Sequence, residues 1–231
     1  MKIAITQPTF LPWQGYFALI NYVDEVVFLD DIQFEKRSWQ QRNKIKFLEK
    51  EVILTVPVIS KNRFSQKINE VNIDKKATYI RKHKASILQN YSKAKHFDRY
   101  INKIFDIYEK DFSLLLDLNI NLIKFFLKEL NIKTKISFSS EMGLSEKKQF
   151  LIDKICNVKK CKEYISTIGS KNYLTLLDKN TLNYEIKYFD FKNLKYSQSG
   201  KEFLKNLSIL DLLFNEGEDS IEYLEKNFII L

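Results

Sequence analysis

Residues 7–17 of this chain read Gln7-Pro8-Thr9-Phe10-Leu11-Pro12-Trp13-Gln14-Gly15-Tyr16-Phe17, between an apolar run at residues 3–5 and a helical pattern at residues 18–22. The apolar run predicts a buried strand, so the quoted stretch is a strand-to-helix junction. Open α/β sheets bind ligands at such junctions, at the carboxyl ends of their strands. Pro12 fixes one backbone angle and Gly15 permits close approach, which favours a rigid aromatic loop. We expect Gln7, Trp13 and Tyr16 to contact a substrate; the alternative is a tight turn packed by its own aromatic side chains.

Strands and helices alternate along the rest of the chain, and this alternation predicts an α/β fold with a mostly parallel central sheet and flanking helices. We expect one α/β domain over residues 1–231, with a helical insertion at about 77–132. Strands are predicted at 2–6, 25–30, 43–47, 51–58, 135–138, 164–166 and 184–189, and the third and fourth of these form a hairpin. Helices are predicted at 13–23, 77–90, 95–130 and 170–178. Another is predicted from a cap at Ser145 to about 157, and the last begins at 208 and ends at 215–217.

The net charge of +9 comes from one part of the 231 residues, which we call the basic segment. This segment, residues 61–103, contains twelve basic and three acidic residues, whereas the two signs balance elsewhere. A local positive field speeds the association of anionic partners, here a sugar nucleotide, an acidic carrier protein or tRNA. Four aromatic residues among the basic ones suit a nucleic acid: Tyr79, Tyr91, Phe97 and Tyr100. The alternative is a solvated, lysine-rich helix face.

A pair of carboxylates ends the second predicted strand. Asp30 and Asp31 directly follow an apolar run at residues 26–29, where a parallel sheet presents functional side chains. A carboxylate there could accept a proton from an amine or bind a hydroxyl group, and we predict Asp30 to be catalytic. Asp31 and the nearby Gln33 are predicted to bind substrate. The alternative is that the carboxylates cap a turn.

Basic residues and one histidine complete the predicted site. Arg42 suits a phosphate or carboxylate because its guanidinium donates two parallel hydrogen bonds, and Lys44 lies two residues on; the alternative is a surface arginine. The chain has two histidines, so the histidine of a Ser-His-Asp triad would have to be one of these two. His83 lies in the basic segment, where neighbouring cations would lower its pKa and keep it neutral as a catalytic base. The alternative is an exposed histidine on a helix.

Several classes of chemistry have no motif in the sequence. No group of residues has metal-ligand spacing, and there is no Walker loop or dinucleotide fingerprint, so we expect no metal and no tightly bound cofactor. Cys156 and Cys161 cannot build a disulfide framework, and Cys156 is predicted to be a buried structural thiol rather than a nucleophile. No apolar run reaches the roughly 20 residues of a membrane helix, and no signal peptide is visible, so we expect a cytoplasmic location.

Together these pieces resemble the WbqC-like protein family of bacteria, nearly from end to end. The opening motif is the most specific part of the likeness, and the late apolar pieces are weak individually. The matching residues are Gln7-Pro8, Leu11-Pro12-Trp13, Gly15-Tyr16-Phe17, Asp24, Asp30-Asp31-Ile32-Gln33-Phe34, Arg42-Asn43-Lys44-Ile45-Lys46, Leu54-Thr55-Val56-Pro57-Val58, Tyr164-Ile165-Ser166, Tyr173-Leu174, Tyr196 with Gln198, and Ser208-Ile209-Leu210-Asp211-Leu212-Leu213-Phe214-Asn215 with Gly217.

The resemblance implies a role in the assembly of a bacterial surface glycan (O-antigen, capsule or flagellar glycan), beside enzymes that make nucleotide-linked deoxyamino sugars. For the reaction we infer N-acyl or aminoacyl transfer to a nucleotide-linked amino sugar. The donor would be an acyl thioester, a carrier protein or an aminoacyl-tRNA. Proximity and an oxyanion site can supply most of the rate enhancement without a covalent nucleophile. Asp30 or His83 would take the amine proton, and Arg42 and Lys44 would bind the diphosphate.

Two other functions stay open at this point. The order strand, aromatic loop, helix, strand is similar to that of the nucleotidyltransferases with an HxGH loop, and Ile165-Ser166-Thr167 is similar to their late Ser/Thr motif. The loop here has Trp13-Gln14-Gly15-Tyr16 where two histidines would be expected, which argues against that phosphoryl chemistry. The third possibility is a non-catalytic binding module of a glycan assembly complex.

Overall fold

The structure is a computed structural model that describes residues 1–174 and 181–231. Its strands are β1 (Lys2–Thr6), β2 (Glu25–Phe28), β3 (Arg42–Phe47), β4 (Lys50–Thr55), β5 (Lys135–Phe138), β6 (Glu163–Thr167), β7 (Glu185–Phe191) and β8 (Phe228–Ile230). Its α-helices are α1 (Gln14–Tyr22), α2 (Tyr79–Tyr91), α3 (Phe97–Tyr108), α4 (Leu115–Glu129), α5 (Gln149–Val158), α6 (Lys171–Leu174), α7 (Ile209–Glu216) and α8 (Ser220–Lys226).

β1 lies inside a six-stranded sheet of order β5-β2-β1-β6-β7-β8. The first five of these strands run parallel, and β8 pairs antiparallel with β7. β3 and β4 form a separate antiparallel hairpin in which Arg42 lies opposite Thr55. The predicted α/β fold with a mostly parallel sheet is confirmed, as is the hairpin. Numbered along the chain, the parallel strands have the order 3-2-1-4-5, which doubly wound nucleotide-binding folds share.

Each face of the sheet has its own hydrophobic core, because successive strand residues point to opposite sides. Ala4 and Val26 belong to the larger core, which also contains apolar residues of the hairpin and of α1 to α4, α7 and α8. Ile3 and Val27 belong to the smaller core, to which α5 contributes Ile155 and its neighbours. The predicted helical insertion corresponds to α2, α3 and α4, and it packs on the larger core.

The single helix predicted over residues 95–130 is wrong, because the chain forms two helices there, α3 and α4. The backbone of the connection is used by another part of the chain. The amide of Leu115 donates to the carbonyl of Val71, and the amide of Ile73 donates to the carbonyl of Ser113, both at 2.9 Å. These groups are therefore not available to a continuous helix. The apolar pattern did not reveal the break, since residues on both sides of it are buried.

The last third of the chain differs from the prediction in two further places. Ser145 does not cap α5, which begins at Gln149 after Lys148, whose φ is 56°. The helix predicted from 208 ends at Gly217 as expected, with a φ of 59°, but α8 and β8 follow it. β8 has three residues, too few to show an alternating pattern. The helix predicted at 170–178 falls partly outside the described residues.

Gly15 lies against the indole ring of Trp13 at the start of α1. A Cβ atom at Gly15 would lie 2.3 Å from the Cη2 atom of that ring. The indole also packs edge-on against Phe191, with 5.5 Å between the ring centroids. Close approach of the ring to the backbone therefore requires glycine at this position.

We expect Gly15→Ala to lower the free energy of unfolding by about 1–3 kcal/mol, because the added methyl group forces Trp13 out of its packed position. Urea denaturation of both proteins measures the difference. Gly169→Ala is the matched control, since no atom lies within 4 Å of a Cβ built there. Its effect should stay below about 0.5 kcal/mol. An unchanged unfolding midpoint for Gly15→Ala would contradict the packing described.

Candidate functional site

The carboxyl ends of β1 and β6 separate at the point where the strand order reverses. Among the described residues, the two strands pair over their first two positions, although β1 continues to Thr6 and β6 to Thr167. β1 stays paired with β2 as far as Thr6, so the divergence is on the β6 side. A doubly wound sheet binds its ligand in the crevice at such a reversal. Gln7, which directly follows β1, lies at this opening.

The loop of residues 7–13 is held in a strained conformation. Leu11 is fully buried and has a φ of 43°, a left-handed backbone that costs a residue with a Cβ free energy. The side-chain amide of Asn43 donates to the carbonyls of Phe10 and Leu11, at 3.1 and 2.8 Å. Strain of this kind persists where surrounding contacts determine the backbone, and it clusters at ligand-binding loops. The loop is therefore preorganised.

Gln7 links this loop to the residues that precede β3. Its Oε1 accepts a hydrogen bond from Nε2 of Gln40 at 2.8 Å. The amide of Phe10 donates to the carbonyl of Trp39 at 3.0 Å. Arg42 follows two residues after Gln40, at the start of β3. These contacts bring Arg42 to the same edge of the sheet as Gln7.

Asp30 and Asp31 both contact the two serines that follow β5. Asp30 is buried, and its carboxylate accepts from the backbone amide of Ser140 at 3.0 Å and from the Ser140 hydroxyl at 2.7 Å. The hydroxyl of Ser139 donates to Asp31 and lies 3.2 Å from Asp30. Asp30 thus caps the short 3-10 helix Ser139–Met142, as the turn-capping alternative describes. Asp31 is half-buried and keeps the more accessible carboxylate.

Arg42 and Lys44 flank an exposed tryptophan that the sequence analysis did not single out. Trp39 is 48% exposed, and its ring centroid lies 5.9 Å from Cζ of Arg42 and 5.8 Å from Nζ of Lys44. Lys44 also forms an ion pair with Glu51 at 2.7 Å. Arg42 has no ion pair within the described residues, and its Nε is buried without a hydrogen-bond partner there. This arrangement suits an anionic ligand with a planar ring.

Three predicted binding residues lie elsewhere or are largely covered. Tyr16 is 6% exposed and its hydroxyl donates to the carbonyl of Gln7 at 3.0 Å, so its ring is not open to a stacking ligand. Trp13 is half-buried against α1 and the end of β7. Gln33 is exposed and its side chain donates to the carbonyl of Phe64 at 3.0 Å. The packed-turn alternative describes Tyr16, while Gln7 remains at the opening between the strands.

His83 is buried in α2, so the alternative of an exposed helical histidine is wrong. The ring is 4% exposed and packs edge-on against Tyr79 and Tyr108. Its Nε2 lies 3.1 Å from the carbonyl oxygen of Thr55, and since a carbonyl can only accept, Nε2 carries the proton. Nδ1 lies 3.4 Å from the Tyr108 hydroxyl. The catalytic role predicted for His83 requires a ring nitrogen that substrate can reach, and this arrangement offers none.

Burial lowers the pKa of His83 to about 4, from about 6.5 for an unfolded histidine. The cause is desolvation rather than the neighbouring cations. The neutral ring therefore stabilises the fold fully above about pH 6.5, and this stabilisation is lost as the pH falls toward 4. We expect a loss on the order of 3 kcal/mol in the free energy of unfolding between pH 7 and pH 4, at about 1.4 kcal/mol for each pKa unit. Urea denaturation across this range measures it. The loss should shrink in His83→Gln, and equal pH profiles for the two proteins would count against this assignment.

A buried polar network that the sequence analysis missed joins α7 to α1 and α2. Asp211, which is fully buried, accepts hydrogen bonds from the hydroxyls of Tyr91 and Tyr196 at 2.8 and 2.7 Å. Gln14 donates to the Tyr196 hydroxyl at 2.8 Å. Burial raises the pKa of Asp211 above its ordinary value. Tyr196 belongs to a motif quoted above, but Gln14 lies 182 residues from it and Tyr91 lies 120 residues from Asp211, so no local pattern indicated the network.

Lys46 of β3 extends this network toward the connection between β7 and α7. Its side chain is buried, and its Nζ donates to the carbonyl of Glu202 and lies 3.4 Å from Oε1 of Gln198. Gln198 in turn donates to the Tyr196 hydroxyl at 3.0 Å. Tyr196 and Gln198 are half-buried, and Oε1 of Gln14 is buried without a hydrogen-bond partner among the described residues. The network therefore anchors the connection over the hairpin.

The two thiols are also internal. Cys156 and Cys161 are free and buried, and contact with Cys161 together with burial raises the pKa of the Cys156 thiol. This agrees with a structural thiol. Within residues 1–174 and 181–231, no three His, Cys, Asp or Glu side chains converge as metal ligands do. The same part of the chain contains no helix with the length and apolar character needed to span a membrane.

Comparison with known proteins identifies the family of the chain. The model of the WbqC-like protein family matches residues 7–223, which include the loop of residues 7–13, both carboxylates and Arg42. Rv1507c, an uncharacterized protein of Mycobacterium tuberculosis, is 35% identical over 225 residues, which cover 96% of this chain and 97% of the relative. No solved structure matches the chain significantly. The chain therefore belongs to the WbqC-like protein family.

Proposed function

We propose that this protein is a transferase of bacterial surface-glycan biosynthesis that moves an acyl or aminoacyl group onto the amine of a nucleotide-linked sugar. The observation that carries the proposal is the Arg42 guanidinium, which forms no ion pair with a described residue and lies beside the exposed ring of Trp39. A nucleotide sugar offers a base that can stack on an indole and a diphosphate that can accept from a guanidinium. Lys44, whose Nζ lies 5.8 Å from the centroid of the same ring, adds a second cation.

The proposed reaction uses the carboxylates at the end of β2. The amine nitrogen attacks the acyl carbonyl carbon, the bond from that carbon to sulfur or oxygen breaks, and the donor leaves as a thiol or hydroxyl. Asp31, the more accessible carboxylate, takes the proton that the amine loses. Asp30 holds Ser139 and Ser140 in place through three hydrogen-bond contacts. We therefore propose Asp31 as the base, whereas the sequence predicted Asp30.

The direct test supplies dTDP- and UDP-linked amino sugars with three donors in parallel: a small acyl thioester, an acyl carrier protein and an aminoacyl-tRNA. Mass spectrometry of the sugar nucleotide detects the amide. Amide formation with one donor supports transfer. Unchanged sugar with every donor refutes it, and ligand-induced thermal stabilisation without turnover would then favour a non-catalytic binding module.

The strand order favours one alternative function. This alternative is a nucleotidyltransferase-like enzyme, because doubly wound sheets commonly bind nucleotides. Magnesium-dependent release of pyrophosphate from a nucleoside triphosphate would support this alternative. Amide formation without pyrophosphate would exclude it for the substrates used.

For Arg42→Ala we expect the KM for the sugar nucleotide to rise about 10- to 100-fold with kcat changed far less, because a charge-assisted hydrogen bond to the diphosphate contributes about 1.5–3 kcal/mol. Steady-state kinetics measures the two constants separately. Lys50→Ala is the matched control, since Lys50 is an exposed cation of the same hairpin. Equal KM values for Arg42→Ala and the wild type would remove Arg42 from the site.

For Asp31→Asn we expect kcat to fall about 100-fold or more with KM little changed, because the amide cannot take the proton. Asp30→Asn is the comparison. The main effect of Asp30→Asn should be a lower thermal stability, since Asp30 caps the helix that follows β5. The reverse pattern, with kcat lost in Asp30→Asn alone, would return the role of base to Asp30.

A further inference from the structure

One side of α2 carries positive charge and no negative charge. Helical periodicity places the exposed residues of α2 and its C-terminal turn on a single side. The helix contains no acidic residue, and Leu88 is 43% exposed near the middle of this side. We call this surface the basic face, and it consists of Arg81, Lys82, Ala85, Leu88, Gln89 and Lys93.

The cations of the basic face are unpaired, in contrast to others in the basic segment. Four other cations of that segment form ion pairs with acidic residues outside it: Lys75, Lys84, Arg99 and Lys103. In the part of the chain that the structure describes, Arg81, Lys82 and Lys93 form no ion pair. These three cations therefore carry positive charge that no ion pair with a described residue offsets, and this charge can attract an anionic partner.

The four aromatic residues that the sequence analysis paired with these cations do not accompany them on the basic face. Tyr91, Phe97 and Tyr100 are buried in the larger core, and Tyr79 packs edge-on against His83. Binding of single-stranded nucleic acid relies on exposed aromatic rings beside cations. These four residues therefore do not provide the exposed rings on which RNA bases would stack.

What remains exposed is an aliphatic side chain, Leu88, with Arg81 and Lys82 toward the start of the helix and Lys93 just beyond its end. A nucleic-acid duplex offers phosphates but no apolar surface for Leu88. An acidic amphipathic helix of a protein offers both, because its carboxylates can meet Arg81 and Lys82 while an apolar residue covers Leu88. Charge complementarity with an apolar centre thus favours a small acidic protein.

The helix that carries the basic face packs, through its buried side, on the hairpin that carries Arg42. His83, on the buried side of α2, contacts the carbonyl of Thr55 at 3.1 Å. Thr55 is the cross-strand partner of Arg42. A protein docked on the basic face would therefore be separated from the strand position of Arg42 by the width of α2 and by the pair formed by Thr55 and Arg42.

We propose that the basic face docks an acidic acyl carrier protein, which delivers the acyl group as a thioester. This proposal rests on the proposed function and selects one of its donor classes. In the transfer, the carbon–nitrogen bond of the amide forms, the carbon–sulfur bond of the thioester breaks, the amine loses a proton and the carrier thiol gains one. The step needs no oxidant or reductant.

The test measures binding of a fluorescently labelled bacterial holo acyl carrier protein to the full-length chain by anisotropy. We expect the double variant R81E/K82E to raise the Kd at least tenfold and added salt to raise it further. Leu88→Ala should raise the Kd several-fold. The control K61E/R63E makes the same change in net charge at two exposed cations outside α2, and it should change the Kd less than twofold. Circular dichroism checks that each variant is folded.

Three of the following four outcomes would overturn the docking proposal. Equal weakening by both double variants would mean that overall charge, and not the basic face, attracts the carrier. Binding of tRNA that R81E/K82E abolishes, without carrier binding, would assign the face to RNA. Carrier binding that R81E/K82E abolishes, with no sugar acylated by any donor, would keep the docking and refute the transferase. Transfer from a small thioester without carrier binding would refute the docking and keep the transferase.

Discussion

The geometry at the carboxyl edge of the sheet depends on side-chain amides that satisfy buried backbone carbonyls. Residues 8–11 leave the sheet, so their carbonyl groups need other donors. Asn119 of α4 donates to the carbonyl of Pro8 at 3.2 Å, and Asn43 of β3 donates to those of Phe10 and Leu11. A buried polar group left without its partner costs about 1–3 kcal/mol. The loop, the hairpin and α4 therefore reach their final arrangement together, and the left-handed backbone of Leu11 is maintained by groups distant in sequence.

The two cationic surfaces of the protein differ in what accompanies their charge. Arg42 and Lys44 lie beside an indole ring, a combination that suits a small anion with a planar part. The cations of the basic face lie toward the two ends of α2, with a leucine and neutral residues between them, which suits the surface of a protein. Net charge alone does not distinguish these cases. The distinction comes from which neighbours are turned outward, and this depends on the packing of the larger core.

The sequence predicted those elements whose signal is local. Apolar runs predicted β1 and β2, and the alternation of elements predicted the parallel sheet. The structural role of Asp30 was harder to predict, because its capping partner Ser140 is 110 residues away and no residue near Asp30 in sequence indicates this contact. His83 did carry a usable signal: it shares its helix side with Ile87 and Tyr91, at spacings of four and eight residues, and all three are buried. Trp39 could not be ranked above other aromatic residues, since its exposure depends on tertiary packing alone.

The network around Asp211 has a consequence for how this chain is made. Gln14 and Lys46 emerge early from the ribosome, but their partners Tyr196 and Gln198 follow 182 and 152 residues later. Until then, a lysine and a glutamine destined for the interior must stay hydrated, so the N-terminal third cannot complete its packing during translation. Contacts that span so much of a chain slow folding and leave apolar surface exposed meanwhile. Truncation near the C-terminus should therefore unfold the beginning of the protein as well as its end.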